Sequence, residues 1–83
     1  MTETATPAPR RRMLKGVQLV FNNGCSAING VLRDVSDTGA RVSVENSLAL
    51  PQSISLVFED GSKRSCEIAR RELKEIGLRF TDL

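Results

Sequence analysis

The stretch Asp34-Val35-Ser36-Asp37-Thr38-Gly39-Ala40 sets a polar corner between two runs rich in β-branched residues. Asp and Ser side chains bond readily to nearby backbone groups and so favour turns, and Gly39 can take the positive φ that closes a tight one. Read alone, D-x-S-x-x-G describes a turn and no more, because so short a motif recurs in many ordinary loops. Its flanks decide what it connects. Upstream, Ala27 to Val35 places Ile28, Gly30 and Leu32 on one face until the corner interrupts the alternation, which predicts a strand with a bulge near Arg33 to Val35. Downstream, Ala40, Val42 and Val44 alternate with Arg41 and Ser43, a strand with its apolar members inward and Arg41 and Ser43 outward. The corner is a strand-to-strand connection.

Further out, Gly16 to Phe21 places Val17, Leu19 and Phe21 on one face at period two, which makes it the first strand. Asn23-Gly24 tolerates positive φ and predicts a two-residue hairpin into the second strand. After the third strand, Glu45 to Pro51 reads as a longer loop, Ser53 to Phe58 as a fourth strand, and Asp60-Gly61 as another tight hairpin. The segment Cys66 to Glu75 satisfies two periods. As a helix it would align Cys66, Ala69, Leu73 and Ile76 and pair Glu67 with Arg71 and Arg71 with Glu75. As a hairpin it would run Lys63 to Arg70, turn through Glu72 to Glu75 and return through Ile76 to Phe80. The Asp-Gly turn upstream needs a strand on each side, which favours the hairpin.

Six short strands with tight turns predict an all-β fold, a small six-stranded antiparallel β-barrel. Closing the sheet removes its unpaired edges and encloses a core with few residues, as a chain of 83 residues requires. Phe21, Phe58 and Phe80 fall near strand ends and read as core. A hydrophobic content of 40% with 27% charged residues is ordinary for a soluble globular domain. Residues 1–9, MTETATPAP, have neither a hydrophobic period nor an apolar signal region, so they are expected to be a flexible tail before a single domain over residues 10–83, whose basic arm, residues 10–15, is expected to stay flexible until a ligand orders it. With no apolar run long enough to span a bilayer, a cytoplasmic location is expected.

Two distant cysteines, Cys25 and Cys66, and no histidine argue for reduced thiols and against a metal site. Without histidine or a nucleophile-elbow serine, no enzyme is expected; Glu67, Glu72, Glu75, Arg70, Arg71, Lys74 and Arg79 read as a solvated outer face without an assigned role. A net charge of +2 is too small for general polyanion affinity, but Arg10, Arg11, Arg12 and Lys15 cluster just ahead of the first strand. Four cations suit a small anionic ligand better than a nucleic-acid polymer, and no tyrosine or tryptophan is present to stack bases.

With these elements in order, the chain resembles the PilZ domain, the bacterial receptor module for cyclic di-GMP. The family pattern is R-x-x-x-R before the first strand and D/N-x-S-x-x-G between the second and third. The second motif is intact as Asp34, Ser36 and Gly39, and Ala40 and the closing Ile76-Gly77-Leu78-Arg79-Phe80 are also similar to the family. The first departs from it: the best match is Arg11 with Lys15 in the second place.

The resemblance implies cyclic di-GMP as ligand, no cofactor, and a ligand site of Arg10, Arg11, Arg12, Lys15, Asp34, Ser36 and Gly39. It also implies bacterial second-messenger signalling through a downstream protein. Arginine can donate twice to the O6 and N7 edge of guanine, cations meet the phosphates, and a carboxylate such as Asp34 can accept from N1 and N2. Lysine cannot reproduce a bidentate fork, so Lys15 is expected to weaken guanine recognition if that is its task. The alternative is a PilZ-like protein adaptor that binds no nucleotide.

Overall fold

The computed structural model describes residues 11–82. The tail expected over residues 1–9, and Arg10, lie outside the described residues. Six strands follow one another: β1 Arg11–Phe21, β2 Ser26–Val35, β3 Gly39–Ser43, β4 Ser53–Val57, β5 Lys63–Glu72 and β6 Glu75–Phe80. They close in the order β1-β2-β3-β6-β5-β4, with β4 pairing back onto β1, and every pairing is antiparallel. Alternation decides what faces inward: Val17 and Leu19, Leu32, Ala40 and Val42, Ile54 and Leu56, Cys66 and Ile68, and Ile76, Leu78 and Phe80 form one buried cluster. Phe80 is fully in that core, whereas Phe21 and Phe58 pack against it half-buried.

The hairpin reading of Cys66 to Glu75 holds. β5 and β6 are joined through Leu73-Lys74, and the helical alternative fails because the apolar residues on either side are needed on one sheet face. The bulge expected near Arg33 is present too: Leu32 faces Val42 and Asp34 faces Arg41, leaving Arg33 as the extra residue.

Three expectations change. Residues 11–15 of the expected flexible arm are strand: β1 starts at Arg11, five residues before the apolar alternation begins at Gly16, because the backbones of Arg11 and Arg12 continue the ladder opposite Val35 and Asp34. The β1–β2 connection is a four-residue loop, with Asn22, Asn23 and Gly24 all at positive φ and Cys25 completing it. The β4–β5 turn is likewise longer than two residues. The Phe58 N–H donates to Ser62 O (2.8 Å) and the Gly61 N–H to Phe58 O (3.0 Å), a three-residue loop with Gly61 at φ 91°.

Because β3 pairs with β6, the chain must cross one end of the barrel to reach β4. Leu50 plugs that end from within the crossing loop, and Ser47, fully buried, donates its hydroxyl to Glu72 O at 2.6 Å. Arg71 reaches over to donate to Ser47 O and to Leu50 O (2.9 Å), so the loop is clasped to the β5–β6 hairpin. The opposite end carries the start of β1, the Ser36–Gly39 corner, the β4–β5 turn and the end of β6. The candidate site lies at that end.

Candidate functional site

The bulge at Arg33 determines how the corner presents its carboxylate. Residues directly opposite across a ladder share a face, and an inserted residue re-aims everything after it. Leu32 faces the core with Val42, whereas Asp34 stands opposite Arg41, on the outer face. Val35, opposite Ala40, then turns back to pack against the core. Asp34 is nonetheless covered: its side chain is 5% exposed, and its Oδ2 accepts from Arg41 Nη2 at 2.7 Å. Arg41, 47% exposed, also places its Nε 3.2 Å from Glu75 Oε2, so one guanidinium bridges a buried carboxylate and a surface one.

The corner beyond Asp34 is closed by backbone and hydroxyl together. The Ser36 N–H donates to Gly39 O at 2.8 Å, the Ser36 hydroxyl lies 3.4 Å from the same oxygen, and the Thr38 N–H donates to Ser36 Oγ at 3.4 Å. Thr38 O in turn accepts from the Phe80 N–H at 2.9 Å, tying the corner to β6. Gly39 is needed for space. Its φ is not positive, contrary to expectation; a Cβ there would sit 2.1 Å from Leu78 O. The glycine lets β3 and β6 approach.

The sequence-predicted residues divide. Strand pairing sets the backbone of Arg12 opposite Asp34 and that of Arg11 opposite Val35, so the basic segment and the corner meet. Lys15, after an irregularity in the ladder, faces Leu32 and lines a cavity of about 400 Å³ in the mouth of the barrel. Val17, Leu32, Val35 and Phe58 give that cavity an apolar floor, and Glu59, Asp60 and Arg64 charge its rim with Lys15. Bonds from the Ser62 hydroxyl and backbone N–H hold the Asp60 carboxyl below its ordinary value, with a smaller contribution from the Lys15 charge. Arg64 stacks over Phe80 at 4.1 Å and pairs with Asp82, whose carboxyl is lowered chiefly by that bond.

The PilZ domain family model matches residues 8–83. The chain belongs to that family. No curated protein gives a significant match. Within this PilZ domain, Arg41 and Arg71 were not legible as functional or structural residues. Arg41 reads in sequence as an outward strand residue, and only the bulge that turns Asp34 outward brings the two together. Arg71 reads in sequence as outer-face charge, and its carbonyl partners lie more than twenty residues away. Among the described residues, no helix is long and apolar enough to cross a membrane, and no cluster of His, Cys, Asp and Glu could hold a metal.

Proposed function

We propose that this PilZ domain is a cyclic di-GMP receptor whose ligand lies against the corner end of the barrel. The observation that carries the reading is the cross-strand pairing of Arg12 with Asp34, which joins the basic segment to the intact D-x-S-x-x-G corner. In this reading Asp34 accepts from the N1 and N2 donors of one guanine, and Ser36 bonds beside it. Arg10, Arg11 and Arg12 meet the O6 and N7 edge of guanine or the phosphates. Lys15, at the edge of the mouth cavity, contributes charge to a phosphate and no guanine fork. Occupation of the corner and the adjoining basic segment by the ligand is the signal passed to a downstream protein in the cytoplasm.

A second reading, an adaptor that binds no nucleotide, is favoured by the Asp34 carboxylate already being covered and held by Arg41. Calorimetric titration with cyclic di-GMP separates the two. A receptor gives saturable heat that Arg11→Ala and Asp34→Ala weaken strongly and Arg79→Ala leaves unchanged. Each lost bidentate guanine contact is worth about 1–3 kcal/mol. Equal effects from all three substitutions would sink the site, and no heat at any ligand concentration favours the adaptor.

A further inference from the structure

We infer that Arg41 is a gate on this ligand site, bridging Asp34 and Glu75 in the free domain and giving up Asp34 while keeping Glu75 when a guanine takes its place; this rests on the cyclic di-GMP reading above. Asp34 Oδ2 accepts from Arg41 Nη2 at 2.7 Å, and a guanine edge that presents N1–H and N2–H side by side needs both oxygens of the same carboxylate. The two donors compete for one acceptor. Arg41 therefore has to yield at least that contact before a base can be bound in full.

The structure also supplies the place it would yield to. Glu75 Oε2 lies 3.2 Å from Arg41 Nε, on the neighbouring strand, and is about one-third exposed against 5% for Asp34. A guanidinium presents five donors in a rigid fork, so a small rotation of a half-exposed side chain can release Asp34 and stay on Glu75 without leaving the charge unpaired. Next to the pair, the outer face offers room for that rotation. A shallow groove of about 330 Å³ runs past Arg41, Ser43, Glu72 and Glu75.

Two substitutions then act in opposite directions on one affinity. Arg41→Gln removes this competitor and tightens cyclic di-GMP binding, whereas Glu75→Gln removes the charge that would hold Arg41 away, leaves it on Asp34 and weakens binding. Each change should be about threefold to fivefold, the size that a half-exposed ion pair supports in water. A residue that only positions Asp34 would make Arg41→Gln bind more weakly, so the sign separates a gate from a support.

The test is calorimetric titration of the wild-type chain and both variants with cyclic di-GMP, with circular dichroism confirming that each is folded. Tighter binding by Arg41→Gln with weaker binding by Glu75→Gln supports the gate. Gain of binding by Arg41→Gln when the wild type shows none supports it in its closed form. Wild-type binding with unchanged or weaker binding in Arg41→Gln overturns the gate and leaves the receptor reading intact, and absence of binding in both overturns the two together.

Discussion

Replacing Gly39 by alanine should be among the most damaging single-methyl additions in the barrel, and the reason is geometric. An ideal Cβ at this position would lie 2.1 Å from Leu78 O and 3.2 Å from Leu78 C, whereas ordinary Cβ contacts fall at 3.4–4 Å. The obstruction is backbone, which cannot swing aside as a side-chain tip can. β3 and β6 would have to part by more than an ångström where Gly39 faces Arg79, and the bond from the Phe80 N–H to Thr38 O (2.9 Å) would go with them. Overpacking of this kind costs about 1–3 kcal/mol, and each ladder bond lost adds about 1 kcal/mol. A total of about 3 kcal/mol is a large part of the 5–15 kcal/mol typical of native proteins, here taken as roughly the lower half for so small a domain. In a domain of this length it corresponds to a fall in Tm of roughly 12–24 °C. Thermal and urea melts followed by circular dichroism measure it, with two glycines as controls. Gly16→Ala, with open space and ordinary φ, should be neutral, while Gly24→Ala, in open space at φ 88°, should cost about 1–2 kcal/mol from its left-handed backbone alone. If Gly39→Ala melts within a few degrees of the wild type, or no lower than Gly24→Ala, the close-approach argument is wrong.

Ser47→Ala and Arg71→Ala should each cost about 1 kcal/mol, because the first removes the loop's donor to Glu72 O on β5 and the second removes the donors from β5 to Ser47 O and Leu50 O of the loop. The double variant should cost less than the sum, since both hold the same loop, and urea melts of the three proteins check this. Burial pushes the Cys66 thiol up to about 11 from an ordinary 9.0, so that group contributes stability that is fully present below pH 9 and lost as pH rises through the folded value. A thiol reagent should modify Cys25, which is exposed, in the native protein and reach Cys66 only on unfolding; immediate reaction of both would contradict the assigned burial. Asp60 is held below its ordinary value of 3.8 first by the Ser62 hydroxyl, so its contribution to stability is present above that value and lost as pH falls through the folded one. In Ser62→Ala, a carboxyl carbon titration should show Asp60 moving back toward 3.8.

The barrel was legible wherever one face of a strand is buried, because burial forces period-two alternation into the sequence. Val17 and Leu19, Ala40, Val42 and Val44, and Ile76 to Phe80 all announced their strands this way. Arg11 to Lys15 did not, because the extension of β1 is fixed by backbone pairing with Val35 and Asp34 and leaves no apolar pattern to read. Turn lengths were missed for a related reason: Asn-Gly and Asp-Gly mark where a chain turns, whereas the hydrogen bonds from Gly24 to Phe21 and from Gly61 to Phe58 set how many residues it takes. At the site, the identity of the corner could be read, and so could the bulge beside it. The consequence of the bulge could not. That Asp34 is turned outward onto Arg41, and that Lys15 lines the mouth cavity, follows from registers between strands that sequence spacing does not report.

Amide shifts of the isotope-labelled chain, followed at moderate salt as cyclic di-GMP is added and again with GTP, bear most directly on the claim that the corner and the basic segment form one ligand site. Shifts concentrated at Arg10 to Lys15 and Asp34 to Ala40 with cyclic di-GMP, and absent with GTP, are the predicted result. Unchanged spectra at millimolar cyclic di-GMP, or shifts confined to the opposite end of the barrel around Ser47 and Leu73, would contradict it.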